Sequence, residues 1–153
     1  MDALKNLFSD FSVAGLIPDL NTVLGWIQLV CRLCVMAGPL ILLGFGLVYL
    51  LRPPKEANHI AGYRFWWSMS SLDAWQFTHR LVGMIWSGLG LLLTIIMALI
   101  CNGWNQLPPM DMVWSAVICL LVELGLTGAA CLGVNITVMV VFDKDGFRRK
   151  SKK

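Results

Sequence analysis

The chain has 153 residues, of which 58% are hydrophobic and only 14% charged, and its mean hydropathy is +0.72. A soluble domain runs nearer half apolar and a quarter charged, so these figures exclude a soluble fold and imply an integral membrane protein. The net charge of +3 is not a nucleic-acid signal, because most of it comes from the C-terminal tail.

Residues 1–22 read as a short amphipathic segment. Leu4, Leu7, Phe8 and Phe11 recur at helical spacing on one face. Such a helix can lie in the membrane interface, and a frayed terminus reads the same way. Pro18 ends or bends it. The first 30 residues lack a basic start and a small-residue cleavage site, so no signal peptide is expected.

A first transmembrane span is expected over 23–51, with an uncharged stretch from Leu33 and a kink at Gly38-Pro39. Arg32 can snorkel from its outer end. Cys31 and Cys34 form a C-x-x-C pair without the second ligand pair or redox context that would give it chemistry. The loop 52–80 opens on Pro53-Pro54, which stop the helix. Four of the seven tryptophans fall between 52 and 86, and Tyr63, Trp66 and Trp67 resemble an interfacial belt. Ser70 or Ser71 can cap an amphipathic loop helix whose first turn holds Asp73. That helix is expected to run on into span two, 81–101, where Gly83, Ser87, Gly90 and Thr94 make a small-residue stripe suited to close helix contact. A short turn, 102–112, leads to span three, 113–142. There Gly125, Ala129 and Gly133 form a second such stripe for helix packing.

Orientation follows from Lys and Arg. The tail 143–153 carries six, the loop 52–80 four, the segment through Arg32 two, and the 102–112 turn none. Because positive charge stays cytoplasmic, the N-terminus is expected outside and the C-terminus inside. The fold class is therefore an all-α membrane protein: three transmembrane helices, an amphipathic cytoplasmic loop helix and a short N-terminal interfacial segment.

The order of motifs carries a resemblance. Pro53-Pro54-Lys55-Glu56, Asn58, Gly62-Tyr63-Arg64, Ser68-Met69, Trp75 and Gly83, with Phe142-Asp143-Lys144-Asp145-Gly146 and Arg148 at the exit of span three, resemble the SdpI family of small bacterial membrane proteins. Three positions depart from its pattern: Phe65, Ser70 and Asn135, where the family tends to have threonine, a basic residue and an acidic residue. The family takes its name from an immunity protein that protects cells from a secreted toxic peptide. That protein also holds a transcriptional repressor at the membrane when toxin is present. The resemblance implies a bacterial cytoplasmic-membrane protein, with a secreted peptide on the outer side and a cytoplasmic regulator as partners. Beyond these it leaves the lipid bilayer, a possible homo-oligomer and no nucleic acid. It also makes Arg64 a signature residue that orders the loop, against Asp73 or Glu56; an arginine bonded to lipid phosphate is the alternative.

Two side chains weigh towards chemistry. Glu123 is the only charge in the interior of a span, Arg32 lying towards the outer end of the first. An intramembrane carboxylate costs about 2.5–3.5 kcal/mol and should face protein or water. It reads either as a ligand or proton site, or as a protonated carboxyl bonded to a neighbouring helix through Thr127. His79, one turn after Trp75, reads as a pH switch or as a packed interface residue; His59 is the weaker of the two histidines. Asp143-Lys144-Asp145-Gly146 lacks the later acidic residues of a calcium loop, so a helix stop with Gly146 near the C-cap is expected. No catalytic set, cofactor site or metal site is expected, and an enzyme is not. The rivals to an immunity or sensing role are an oligomeric transport or ion-coupling subunit centred on Glu123, and a structural accessory subunit.

Overall fold

The computed structural model describes residues 19–54 and 62–149. The amphipathic segment expected at 1–22 falls almost wholly outside the described residues, as do Lys55, Glu56, Asn58 and His59. Three long helices follow in order: α1 (Leu20–Leu51), α2 (Leu72–Gly103) and α3 (Pro109–Val141). Each contains a stretch long and apolar enough to cross a membrane, with 30 residues in the shortest. At ~1.5 Å per residue even that one exceeds the ~30 Å hydrocarbon core. The protein is an all-α, multi-pass membrane protein.

The punctuation explains the boundaries. Of the two serines that could cap α2, Ser71 does so: its Oγ accepts a hydrogen bond from the Ala74 N–H at 3.1 Å, with Asp73 in the first turn. The loop helix expected after it is the start of α2 itself, continuous with the span. α3 begins with proline at its first position, where the missing N–H costs nothing. Before Pro53-Pro54, α1 stops, and its last cap is the Arg52 N–H on the Val48 carbonyl. Inside α1, Pro39 leaves the Val35 carbonyl without its usual donor, yet the helix runs unbroken across it.

α1 and α2 pack antiparallel with their backbones nearly touching. A methyl built on Gly90 would lie 2.5 Å from the Leu43 nitrogen, and one on Gly83 would lie 2.7 Å from the Leu50 nitrogen; Gly46 meets the backbone of Ser87 in the same way. Small residues permit this approach where lipid gives no hydrophobic drive between helices. α3 leans more lightly on both. It contributes Met112, Ala116 and Cys119 to a core with Val35, Leu93, Met97 and Trp104, and Val134 and Val138 to a second core with Ala74, Val82 and Phe142. Between Cys119 and Val134, Glu123 is its only buried residue. The second stripe points outward: Gly125, Ala129 and Gly133 are exposed, and a methyl added at either glycine meets nothing within 4 Å. Among the described residues, no helix of this chain covers it. Large apolar side chains such as Leu99, Leu121, Leu124 and Val140 cover the outside of the bundle, as a lipid-facing surface requires.

At one end the α2–α3 turn is pinned to α1. Arg32 donates from Nη2 to the Asn105 Oδ1 at 2.7 Å, and Gln28 donates to the same oxygen at 3.2 Å. Buried Trp104 donates from Nε1 to the Ser115 hydroxyl at 3.1 Å. At the other end lie residues 62–71 and the tail after α3, which carry most of the motif residues.

Candidate functional site

The motif residues build a clamp across the ends of all three helices. Gly62 has φ +130°, and a methyl there would stand 2.7 Å from His79 Nε2 and 2.8 Å from the Trp75 ring. Only glycine combines that backbone conformation with that proximity. It lays the chain against α2 so that the Tyr63 N–H donates to His79 Nε2 at 2.9 Å. Since Nε2 accepts, the proton is on Nδ1, which donates to the Trp75 carbonyl at 2.8 Å. His79 is completely buried and both ring nitrogens are used, so the ring is a fixed connector and not a free switch. Trp75, equally buried, donates from Nε1 to the Pro54 carbonyl at 3.0 Å and so ties the exit of α1 to α2.

Tyr63 also reaches α3. Its hydroxyl donates to Asn135 Oδ1 at 2.7 Å and lies 3.2 Å from the Cys131 carbonyl. Burial, with Cys131 beside it, pushes the phenol up to about 12. Asn135 thus supplies an acceptor oxygen without a charge. Ser68, fully buried, ties the loop locally: its hydroxyl accepts from the Phe65 N–H at 3.0 Å and donates to the Phe65 carbonyl at 2.8 Å.

The tail closes the clamp. α3 ends at Val141 with Phe142 as its cap, so Gly146 is not near the helix C-cap as expected. The chain instead reverses: Phe142 and Arg148 form an antiparallel bridge, and Gly146 takes φ +80° in the turn. A methyl on Gly146 would meet Ser70 and Ser71 at under 3 Å, and the Ser71 hydroxyl donates to the Gly146 carbonyl at 2.7 Å. Asp73, offered by the sequence to Arg64, is held by two hydrogen bonds from Arg148 at 2.7 and 3.0 Å. That pair raises the Arg148 guanidinium further above its ordinary value. Arg64 itself is exposed. Met69 and Ser70 border an open cavity of about 580 Å³ between the loop and the tail, with Trp66, Lys144 and Asp145.

A second feature lies within the bundle. Where the two cores part, a cavity of about 550 Å³ opens between α1 and α3, lined by Gly38, Phe45, Tyr49, Trp86, Glu123 and Thr127 among others. Glu123 is 6% exposed. Its Oε1 is buried without a hydrogen-bond partner, so the bond expected through Thr127 is not made at that oxygen. The cavity and the clamp share walls: Tyr49 stands edge-on to His79 at 5.1 Å between ring centroids, and Trp86 edge-on to Tyr63 at 5.8 Å.

The family model described as the SdpI/YfhL protein family matches residues 55–142, more than half of the 153. The chain belongs to the SdpI/YfhL protein family. No curated protein and no solved structure matches it. The family span runs from 55 to Phe142 and so includes most of the loop, α2 and α3, while the whole of α1 lies outside it.

Of the residues singled out from the sequence, Gly62, Tyr63, Ser68, Trp75, Gly83, Asn135, Phe142 and Gly146 meet at or beside the clamp. Glu123 stands apart in the cavity. Gly125, Ala129 and Gly133 belong to neither. His79 as the hub, Arg148 as the partner of Asp73, and Tyr49 and Trp86 as shared walls were not anticipated. The i, i+4 spacing of Trp75 and His79 was the one available signal for the hub.

Proposed function

We propose that the chain is an immunity or sensing protein for a secreted membrane-active peptide, acting by binding and not by catalysis. In this reading it sits in a bacterial cytoplasmic membrane with the clamp on the cytoplasmic side, where a regulator can be held. One observation carries it. Tyr63 bonds to α2 through its amide and to α3 through its hydroxyl, so a displacement of α3 against α2 must strain or break a signature contact. A peptide that disturbs the helices in the bilayer would thereby change the surface shown at that end. Family membership supports the same reading, and the ten Lys and Arg of the loop and tail support the orientation.

The test is growth of a sensitive host expressing each variant at matched membrane levels, over a range of membrane-active peptide concentrations. Tyr63→Phe, which removes only the hydroxyl, and Arg64→Ala should both weaken protection while the protein remains inserted. Full protection with both variants would overturn the reading. Orientation is tested by single cysteines at Ser68 and Asn105 in a cysteine-free background. An impermeant reagent should label only position 105 in intact cells.

A further inference from the structure

We propose that the cavity at Glu123 is a small-molecule site within the bilayer, for an apolar molecule carrying one protonated amine. Its volume of about 550 Å³ suits a small ligand and is too small for a folded peptide. This binding claim therefore stands apart from the immunity reading. Its walls are mostly apolar side chains of α1 and α3, with Trp86 and Leu93 of α2, and suit an aliphatic body. They also carry one carboxyl group whose Oε1 is sealed from solvent and has no hydrogen-bond partner. Native structures rarely leave a buried polar atom so. The protein makes room for this carboxyl: the position that a methyl on Gly38 would occupy is 2.8 Å from Glu123 Oε2.

Charge complementarity selects the ligand's head. Among the described residues, no lysine, arginine or histidine lines the cavity, so a charged Glu123 finds its counter-charge in the occupant. Phe45, Tyr49 and Trp86 line the same space, with Phe45 and Tyr49 6.2 Å apart and Tyr49 and Trp86 6.1 Å apart between ring centroids. Aromatic faces attract an ammonium group, most strongly where water is excluded. An anion would be repelled by a charged Glu123, and a neutral chain would give it no counter-charge. An ammonium group pairs with the Glu123 carboxylate, which keeps 6% exposure, and lies among the rings, while its alkyl body fills the apolar length.

The test uses ω-bromododecylamine, whose bromine quenches tryptophan, titrated into the full chain in phosphatidylcholine nanodiscs. ω-Bromododecanol and ω-bromododecanoic acid are the comparison probes. The amine should quench saturably, and the saturable part should disappear in Trp86→Phe. Glu123→Gln should weaken amine binding by roughly 10- to 100-fold, the loss of one charge-assisted hydrogen bond. Gly38→Ala, which displaces the carboxyl, should weaken it in the same direction. The amine-over-alcohol preference of the unmodified protein decides the matter even if Glu123→Gln does not insert. Equal, non-saturating quenching by all three probes would mean simple partitioning into lipid and would overturn the proposal. So would amine affinity unchanged in Glu123→Gln.

Discussion

Gly90→Ala adds one methyl where α1 and α2 lie closest. The new carbon would stand 2.5 Å from the Leu43 nitrogen, 2.8 Å from its Cα and 3.0 Å from its Cβ. Two of these atoms are backbone, so no side-chain rotation relieves the clash. To bring 2.5 Å to the 3.4 Å of ordinary contact, the helices must part locally by about 0.9 Å. A gap of 0.5–1 Å forfeits about a quarter to a half of the dispersion attraction of each contact, and overpacking of this kind costs about 1–3 kcal/mol. Against this, alanine gains about 0.5–1 kcal/mol over glycine in a helix. The net loss should be about 1–2 kcal/mol. Gly88→Ala is the control, two residues earlier on the same helix, where an added methyl meets nothing within 4 Å; it should be neutral or slightly stabilising. The assay is unfolding in dodecylmaltoside micelles titrated with dodecyl sulfate, followed by far-ultraviolet circular dichroism. If Gly90→Ala proved as stable as Gly88→Ala, the two helices would not pack at this register.

Tyr49→Phe leaves Tyr63 as the only one of the two tyrosines, and its phenolate absorbance should titrate near pH 12; a midpoint near 10 would mean that the phenol is not buried. The folded state holds this proton more tightly than the unfolded chain. Its contribution is therefore fully present below pH 10 and is lost progressively as pH rises from 10 towards 12. Ser71→Ala removes the α2 cap and the bond to Gly146, costing roughly 1–2 kcal/mol. Trypsin should then cut at Lys144 and Arg148 faster than in the parent, and an unchanged rate would show that the tail is held elsewhere. Ala129→Leu should leave thermal stability in detergent unchanged, since no described residue covers that face; a fall larger than that of Leu126→Ala would place a helix of this or another copy there.

The helices were legible because a membrane span writes itself as a long apolar run, and proline pairs and a capping serine mark its ends. The α1–α2 contact was legible for a related reason. Gly83, Ser87 and Gly90 recur at helical spacing, and in lipid such a stripe has little use other than close approach. The same reasoning expected a contact at Gly125, Ala129 and Gly133 that no described residue supplies, because spacing shows a smooth face but not what covers it. The Asp73–Arg148 pair joins residues 75 apart, and no local pattern reports a contact at that separation. It depends on the chain reversing after Phe142, which an expected helix stop with Gly146 near the C-cap did not include.

Glu123 shows the sharper limit. As a lone carboxylate in an apolar run it admitted two readings, a satisfied structural group or a site, and the sequence could not separate them. The difference lies in the surroundings of one oxygen. α3 is anchored at one end by the core around Trp104 and at the other by the core around Phe142 together with Tyr63 on Asn135. Along the helix between those anchors it buries only Glu123. A helix held at both ends and unsupported in the middle leaves space beside it, and the carboxyl in that space has no partner for Oε1. The unmet bond thus follows from where α3 finds its two cores, which is a property of packing between helices and not of the residues around position 123.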